Sequence, residues 1–384
     1  MMRFLLNFAA WIGSLPPVNL TDQAQMQDRP GPDKPNVAPD VRYEGRYDVF
    51  DPSALATYPL ATRPNKVTLE DLVSPAEVLE TDYRLTSNQA ALIGEVADCV
   101  ASARRTGQPV VVITGAHLVK NGLGPLLIDW VRRGVATLVA TNAAGAIHDF
   151  ELALVGQTSE DVPDALPTGQ FGMAYEFAYM NEAINLGHAM HLGFGESLGR
   201  MICESSFRQQ VLARVRRQGS VAAFAHPEAS VLAATYECKV PMTVHASIGT
   251  DVTDQHPSFD GAAKGGTSGR DFLIFTQQMT LFTNGGVVLN IGSAVTGPEV
   301  LLKAISMAAN VGRAARGLIT ADFDLRPHDP ATMTDASKAG YYYRDQKSVL
   351  TRIPQAMGGR GYYVQGDQRV TIPVLYQAIV KRLG

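Results

Sequence analysis

The chain has few cysteines, little charge and no long apolar run, and each shortage excludes a class of protein. Three cysteines among 384 residues, Cys99, Cys203 and Cys238, are too few and too scattered for a disulfide framework or a thiolate zinc site. Charged residues make up 18% of the chain and the formal net charge is −4, so no basic surface favours nucleic acid or an anionic membrane. No apolar run approaches the roughly 20 residues that span a bilayer. These shortages favour a globular protein of a reducing, cytoplasmic compartment.

Two familiar enzyme motifs are also missing. No strand end carries the Gly-x-Gly-x-x-Gly fingerprint of dinucleotide-binding folds, so a dinucleotide site in this chain would be non-standard. No Gly-x-Ser-x-Gly elbow occurs at a strand-to-helix turn, which leaves serine-hydrolase chemistry poorly supported. His188 and His191 lack the glutamate of a His-Glu-x-x-His motif, and packing or surface roles are expected for both.

The first 65 residues differ in composition from the rest of the chain. An apolar stretch after Arg3 faintly resembles a signal sequence, but Asn7 interrupts it and no clear cleavage site precedes Pro16, so a short docking segment or an over-long start is favoured. Residues 16–65 are rich in Pro, Asp and Asn, which is typical of an extended or partly disordered arm. The predicted organisation is an N-terminal arm at 1–65 and a single α/β domain at 66–384.

Beyond the arm, short apolar runs alternate with helical patterns. The strand candidates are residues 109–114, 137–142, 241–247, 286–291 and 317–322. The helix candidates are residues 86–105 with Ser87 as N-cap, 124–133, 177–189, 195–217, 229–239, 268–283, 298–316 and 372–383. Residues 361–366 are a candidate edge element. This alternation predicts an α/β fold with a doubly wound, mostly parallel, Rossmann-like sheet and helices on both faces.

Polar residues gather where the predicted strands end. Five such ends are residues 114–117, 141–149, 245–260, 290–299 and 320–324. The carboxyl ends of parallel strands share one edge of the sheet, where α/β folds bind their ligands. Gly292 and Ser293 would let backbone approach a ligand, and Pro298 would start a helix whose N-terminus suits a pyrophosphate or carboxylate. Asp322 or Asp324 could accept hydrogen bonds from ribose hydroxyls. One glycine turn alone is ordinary structure, but polar residues at all these ends together favour a binding site.

A metal site is the main alternative within enzymes. Imidazole and carboxylate groups, which are good ligands for zinc or iron, come within twelve residues at His245, Asp251, Asp254 and His256. Such a grouping would suit a metal-assisted hydrolase. The residues alone leave this alternative open.

The polar strand ends resemble those of the deoxyhypusine synthases. Residues 141–149, Thr-Asn-Ala-Ala-Gly-Ala-Ile-His-Asp, are similar to the family's Thr-Ala-Gly-Gly-(Val/Ile)-Glu-x-Asp segment, and the match continues in order through most of 66–384. The other matching segments are residues 114–117 at its Thr-Ser-Asn turn, 240–260 at its Ile-Pro-Val-x-x-Pro…Asp-Gly…His stretch, 292–295 at its Gly-Gly-Gly-Val turn and 320–324 at its Asn-Thr-Ala-x-Glu-(Phe/Trp)-Asp stretch. The resemblance implies a homotetramer of Rossmann-like subunits that bind NAD between paired chains.

The resemblance also implies an activity, the dehydrogenation of spermidine and transfer of its aminobutyl group to a protein lysine through an imine on an enzyme lysine. Together with the strand ends, it gives the predicted cofactor contacts Thr114, Gly115, Asn142, Ala143, Gly145, Asp149, Asp251, Gly292, Ser293, Asp322 and Asp324. The predicted amine-binding residues are His256, Asp260 and Glu299. The predicted catalytic residues are His148, His256 and His117, because imidazole exchanges protons near neutral pH.

One departure from the family bears on mechanism. The family's imine-forming lysine closely follows its glycine turn, whereas residues 292–297 here read Gly-Ser-Ala-Val-Thr-Gly and the next lysine is Lys303. Threonine or glycine cannot replace an amine that attacks a carbonyl-like centre, but hydride transfer is carried by the cofactor and could survive.

The leading hypothesis is an NAD-dependent enzyme acting on an amine or polyamine-type substrate, with or without alkyl transfer, and without a metal. Its expected partners are the small-molecule amine and further copies of the chain. A non-catalytic NAD-binding regulatory protein is the second alternative.

Overall fold

The computed structural model describes residues 43–215 and 223–384, and its centre is a six-stranded parallel sheet. The strands are β1 (Asn65–Thr68), β2 (Val110–Thr114), β3 (Leu138–Asn142), β4 (Gln157–Glu160), β5 (Met242–His245), β6 (Val287–Ile291), β7 (Ile319–Asp324) and β8 (Arg360–Gln365). Within the large sheet the order is β5-β3-β2-β6-β7-β8, and β1 pairs with β4 in a separate antiparallel sheet. The predicted strands are confirmed, and the candidate edge element forms β8 beside β7.

The strand order determines where a ligand crevice opens. Numbered by their place in the sequence, the strands of the large sheet follow the order 3-2-1-4-5-6 of the dinucleotide-binding folds. The chain builds one half of the sheet outward from β2 and the other half outward from β6. The carboxyl ends of these two strands therefore lie side by side where the order reverses, which is where such sheets leave a crevice. The predicted Rossmann-like α/β sheet is confirmed.

Helices fill the connections between the strands. The α-helices are α1 (Pro75–Glu80), α2 (Ser87–Arg105), α3 (His117–Lys120), α4 (Gly124–Arg132), α5 (Ala143–Val155), α6 (Val162–Ala165), α7 (Phe177–Ala189), α8 (Phe194–Cys203), α9 (Ser205–Arg214), α10 (Val231–Glu237), α11 (Gly261–Met279), α12 (Thr296–Asn310), α13 (Ile353–Met357) and α14 (Gln368–Leu383). A π-helix spans Gln346–Arg352, and short 3₁₀ helices lie at Pro52–Ala54, Leu60–Thr62, Leu69–Asp71, Leu166–Thr168, Pro227–Ala229, Val252–Gln255, Pro330–Thr332 and Ala339–Tyr342. In the described part of the chain, no helix is long and apolar enough to cross a membrane.

Alternate residues of the central strands face two apolar layers. Val110 and Val112 of β2 belong to a cluster with residues of α2, α4 and α14. Val111 and Ile113 face the opposite way and pack with α11, α12 and the π-helix. Because both faces of the strand are buried, its sequence is a continuous apolar run, as in parallel sheets covered on both sides. The predicted helices on both faces are thereby confirmed.

Two helix predictions were wrong in detail. Thr86, not Ser87, is the N-cap of α2, because its side chain and that of Gln89 form a capping box. The single helix predicted at 195–217 is two helices, α8 and α9. They separate at Glu204, whose backbone is extended with φ −100° and ψ 112°. The last two residues of that prediction lie outside the described residues.

Three further helices, α11, α12 and α14, begin earlier than predicted, and α1, α3, α5, α6 and α13 were not predicted. α11 begins at Gly261, because Asp260 caps it and offsets the low helix propensity of the glycines that follow. α12 begins at Thr296, so Pro298 is its third residue rather than its first. α5 is absent from the predicted helices because its first residues, Ala-Ala-Gly-Ala, are also typical of a turn after a strand.

The predicted N-terminal arm lies mostly outside the described residues, which begin at 43. Nearer the domain, Leu60 is buried in the main apolar cluster, and the Tyr58 amide donates to the Met173 carbonyl at 2.8 Å. The stretch just before β1 therefore packs against the domain. The boundary at residue 65 stays a prediction.

The edge strand β5 is covered by side chains of α11. Ser268 donates from its hydroxyl to the Val244 carbonyl at 2.8 Å and accepts from the Ala246 amide at 3.0 Å. Asp271 accepts from the Val244 amide at 2.7 Å and from the Gly195 amide at 3.0 Å. These bonds occupy groups that an open sheet edge would expose, and they therefore block edge-to-edge pairing.

Asp271 makes the stability of this edge depend on pH. Burial raises the pKa of Asp271 to about 7, although the amides it binds oppose the shift. Because the folded state keeps a proton that the unfolded state loses, the free energy of unfolding falls as pH rises from about 4 to 7. Asp271→Asn keeps both accepted bonds without the charge, and we expect it to remove up to about 1.4 kcal/mol per pH unit from that slope.

Urea unfolding at several pH values measures this slope. The exposed Asp82→Asn is the matched control and is expected to leave it unchanged. A slope in Asp271→Asn equal to that of the wild type would contradict the assignment of a retained proton to Asp271.

Candidate functional site

Two glycine turns meet beyond the ends of β2 and β6, where the strand order reverses and a ligand crevice is expected. The Gly115 amide donates to the Ile291 carbonyl at 3.0 Å, so the turn after β2 stays joined to β6. A Cβ on Gly115 would lie 3.0 Å from the carbonyl carbon of Gly292 and closer still to its oxygen. Gly292 has a φ of +66°, in the left-handed region, and a Cβ there would strike Gln368. Both turns therefore favour glycine, because other protein atoms occupy the space that a Cβ would take.

The turn after β6 leads directly into α12, a helix of 15 residues. Ser293 Oγ accepts from the Gly297 amide at 3.0 Å, and the Asn290 side chain donates to the Ser293 carbonyl at 3.0 Å. These two bonds fix the turn. The Gly297 amide is thereby occupied, Pro298 has no amide hydrogen, and the Glu299 amide is bonded within the helix. What this helix N-terminus offers a pyrophosphate or carboxylate is therefore chiefly the positive end of the helix dipole.

The residues after β3 form the N-terminus of α5 rather than a loop. Asn142 caps this helix by accepting from the Gly145 amide at 2.9 Å, and Ala143 is its buried first residue. A Cβ on Gly145 would strike the Thr141 hydroxyl. In dinucleotide-binding folds an acidic residue downstream of the glycine turn holds the ribose. At this strand end the chain has an amide, whose oxygen is already bonded to the helix.

Asp149 lies in the interior, within α5. Its carboxylate accepts from the Ser230 hydroxyl at 2.6 Å and from the amides of Val231 and Leu232 at 2.7 Å and 3.0 Å. Burial raises the pKa of Asp149 to about 6, although these bonds lower it. Asp149, a predicted cofactor contact, is thus placed as a partner of the α10 N-terminus.

A hydrogen-bonded relay that the sequence did not predict holds His148. Nδ1 of His148 lies 2.7 Å from the Thr158 hydroxyl, and that hydroxyl donates to the Glu151 carboxylate. Because the Thr158 hydroxyl has a single hydrogen, His148 must donate to it from Nδ1. This fixes the tautomer and leaves Nε2 of His148 with a lone pair, as in a general base.

The far end of the relay is a buried ion pair. Arg63 donates to Glu151 at 2.7 Å and lies 3.7 Å from Glu160. Burial alone would raise the pKa of Glu151, but the neighbouring His148, the charge of Arg63 and the hydrogen bond from Thr158 lower it below its usual value. Glu151 is therefore ionised at neutral pH and can stabilise a positive charge on His148. The spacing of His148 and Glu151 on one helix face was the available sequence signal for this contact.

His117 lies beside this relay. It is the first residue of α3, directly after β2, and α3 packs against α5. Burial lowers the pKa of His117, and repulsion from Lys120, and from His148 whenever that ring is protonated, lowers it further. The His117 ring is therefore neutral at neutral pH. Two of the predicted catalytic imidazoles thus interact electrostatically across the ends of β2 and β3.

Beyond the end of β5, a buried lysine is paired with two carboxylates. Lys264 contacts Asp251 at 2.8 Å and also contacts Asp254, and all three side chains are nearly buried. The Phe259 ring centre lies 5.9 Å from Nζ of Lys264. Asp251, a predicted cofactor contact, and Asp254, a member of the metal alternative, are therefore both paired with one ammonium group.

The two histidines of this region make separate contacts. His256 Nδ1 lies 2.8 Å from the Ser258 hydroxyl, and burial lowers the pKa of His256 to about 4. His245 Nε2 lies 3.1 Å from the Thr243 hydroxyl, and its ring packs edge-on against Phe275. Within residues 43–215 and 223–384, no three His, Cys, Asp or Glu side chains are placed to hold a metal ion. The metal alternative has no convergent donor set there.

The carboxylates near the ends of β6 and β7 have different surroundings. Asp324 binds Arg326 at 2.7 Å, and although burial would raise the pKa of Asp324, these bonds lower it. Asp322 is fully buried and bonded to Asn290, so its carboxyl group lies away from the crevice surface. Glu299, in the first turn of α12, pairs with two basic side chains.

The sheet brings most of the predicted site residues to one edge. The strand ends and the segments after them contain Thr114, Gly115, His117, Asn142, Ala143, Gly145, His148, Asp251, His256, Asp260, Gly292, Ser293, Glu299 and Asp324. Two predicted cofactor contacts, Asp149 and Asp322, instead bind other protein groups in the interior. Sequence reasoning missed Arg63, Glu151 and Thr158, because they come from three separate segments of the chain.

Comparison with known proteins gives only distant likenesses. No protein-family profile and no curated protein matches the chain. Similar solved structures include AgrE with ornithine and NAD+ (15% identity, TM-score 0.43, 79% of this chain and 34% of that one), a conserved LOR/SDH-type protein of Methanococcus maripaludis S2 (14%, 0.41, 79% and 70%) and a protein assigned as a deoxyhypusine synthase from Entamoeba histolytica (8%, 0.42, 82% and 95%). The chain spans about a third of the length of the AgrE structures. The resemblance to the deoxyhypusine synthases stays a prediction from the sequence.

Proposed function

We propose that this chain binds NAD at the crevice between β2 and β6 and uses it to oxidise an amine. The observation that carries the proposal is the meeting of the Gly115 and Gly292 turns at the reversal of the strand order. Parallel sheets with this order bind dinucleotides at that point, where the pyrophosphate rests against bare backbone and a helix N-terminus.

The residues at the crevice fit a pyrophosphate better than they fit the standard ribose contact. Gly115, Gly292 and Ser293 would hold the phosphates, together with the positive end of the α12 dipole. Asn142 stands at the end of β3, and its oxygen caps α5. Asp324, at the end of β7, is the carboxylate that could accept bonds from ribose hydroxyls. A glycine at each of two turns replaces the usual run of three glycines in one turn.

Bound NAD would accept a hydride from the carbon beside the substrate nitrogen. A side chain of the protein accepts the proton that the amine loses. Nε2 of His148 accepts it from the amine, because Nδ1 keeps its hydrogen directed to Thr158. Glu151, ionised beside Arg63, stabilises the charge that His148 then carries. An amine that gives up a hydride and a proton leaves as an imine.

The substrate amine would be held by His256 and Asp260, which the resemblance predicts, and by Glu299, which was predicted with them. Transfer of an alkyl group is not part of the proposal, since it needs a free amine nucleophile. The buried lysine of this region, Lys264, is an ammonium ion held between two carboxylates. Oxidation alone therefore suits this chain better. We also propose that the chain forms a homo-oligomer, because the resemblance implies one.

Calorimetry with NAD, followed by the absorbance of reduced cofactor in the presence of amines, tests this function. We expect saturable NAD binding and amine-dependent reduction of the cofactor. Binding without reduction by any of a panel of monoamines, diamines and polyamines would support the regulatory alternative, which the missing lysine in residues 292–297 favours. No binding at millimolar NAD would contradict the proposal.

A further inference from the structure

Asn290 and Asp322 form a buried pair in the large sheet. They are direct neighbours on β6 and β7, and neither side chain is exposed to solvent. The Asn290 amide donates to Asp322 Oδ1 at 2.8 Å. Their other two oxygens, Asn290 Oδ1 and Asp322 Oδ2, have no hydrogen-bond partner in the described part of the chain. Two acceptors cannot satisfy each other, and unpaired buried oxygens are costly.

A single proton on Asp322 would satisfy both oxygens. A carboxylic acid and a primary amide have complementary groups, because each offers a donor and an acceptor. We propose that Asp322 is a neutral carboxylic acid in the native protein, paired with the Asn290 amide, and that this pair positions the Ser293 carbonyl at the turn after β6.

The link from the pair to the turn is the second hydrogen of the Asn290 amide. That hydrogen is donated to the Ser293 carbonyl at 3.0 Å. A neutral Asp322 accepts one hydrogen from Asn290 and donates its own, which prevents rotation of the amide and holds the turn. An ionised Asp322 would offer acceptors only, and Asn290 Oδ1 would stay unpaired. Asp322 thus acts through Asn290 as a positioning residue. The protonation of Asp322 and the ordering of the turn do not depend on the proposed function. Only the use of this turn to bind a cofactor rests on it.

The charges around Asp322 favour the neutral form. The groups that face it are Asp345 before the π-helix, Asp324 on its own strand, Arg326, and Tyr363 of β8. Arg326, the cation among them, already binds Asp324 and Asp345. Burial first, and then the charge of Asp345, raise the pKa of Asp322 well above its usual range.

Infrared spectroscopy of the wild type and Asp322→Asn tests the protonation state without any cofactor. At neutral pH, the difference spectrum is expected to show the carbonyl band of a protonated carboxylic acid, present in the wild type and lost in the variant. Loss of ionised carboxylate bands in place of that band would overturn the proposal.

Urea unfolding gives a second readout of the proton. Asp322→Asn presents an amide of the same shape, which can exchange two hydrogen bonds with Asn290, so it is expected to fold with a midpoint near that of the wild type. One retained proton makes the wild-type unfolding constant rise by up to about tenfold per pH unit above pH 4, and this slope is expected to fall in Asp322→Asn. Asp322→Leu, of similar size but without hydrogen bonds, is the matched control. A variant Asp322→Asn that does not fold, or is no more stable than Asp322→Leu, would overturn the proposal.

Amide hydrogen exchange tests the positioning role. Exchange at residues 292–297 is expected to be faster in Asp322→Leu than in Asp322→Asn, measured under conditions where each variant is folded. Equal exchange in the two variants would show that the pair does not hold the turn. No NAD is needed for this measurement, so its failure is distinct from a failure of the proposed function.

Discussion

Gly115→Ala is expected to weaken NAD binding by at least about tenfold, the effect of 1.4 kcal/mol. The added methyl group has only the backbone of Gly292 to meet, and backbone cannot rotate away as a flexible side chain can. The two turns must therefore separate, which alters the cradle for the pyrophosphate. Overpacking of this kind also costs about 1–3 kcal/mol of stability. Calorimetry with NAD and urea unfolding measure the two effects separately.

Gly265→Ala is the control for this substitution. Gly265 lies in α11, where a Cβ would have no neighbour within 4 Å, so alanine there is expected to leave NAD binding unchanged and to raise helix stability slightly. Wild-type NAD affinity in a folded Gly115→Ala variant would show that the crevice between β2 and β6 is not the cofactor site.

His148→Ala is expected to lower kcat for amine oxidation by about 10²–10⁴-fold, the usual contribution of a general base. NAD affinity should change little, because the proposed phosphate contacts are glycine and serine turns on other strands. The absorbance of reduced NAD measures kcat, and calorimetry measures affinity. His191→Asn is the control, since His191 is exposed, has a φ of +60° that asparagine tolerates, and lies outside the site.

Thr158→Val separates the relay from the imidazole itself. Valine keeps the shape of threonine but removes the hydroxyl that joins His148 to Glu151, so kcat is expected to fall while the ring remains. If the three groups act as a unit, the double variant with His148→Ala should be no slower than His148→Ala alone. Additive losses in the double variant would show that Thr158 acts independently of His148.

The sheet could be predicted from the sequence because its strands are buried on both faces. Val110 to Thr114 form an unbroken β-branched run bounded by turn residues, and the other central strands follow the same pattern. The strand order could not be predicted in this way, because it depends on which strands pair across long stretches of chain. Alternation of strands and helices indicated a doubly wound sheet without fixing where its order reverses.

Short elements of mixed composition could not be predicted in the same way. β4, Gln157–Glu160, has no apolar alternation, and α5 begins with alanine and glycine that equally suit a turn. The error at Asp149 follows from this, because a residue expected in a loop beside a ligand lies inside a helix. There it binds an element that begins 82 residues later at Val231.

The hydrogen-bonded relay of His148, Thr158 and Glu151 could not be predicted from the sequence for a similar reason. Arg63 and Glu151 are 88 residues apart, and Thr158 lies on β4, a third segment of the chain. Taken singly, arginine, glutamate and threonine are residue types that usually lie on a protein surface. Only the fold shows that the arginine is buried against the glutamate and that the threonine bridges the glutamate to His148.

A crystal structure of the chain grown with NAD tests the central claim most directly. We expect the pyrophosphate against Gly115 and Gly292, with the N-terminus of α12 directed to it and the nicotinamide within reach of His148. Cofactor bound on another face of the protein, or a crevice between β2 and β6 that excludes it at saturating concentration, would contradict that claim.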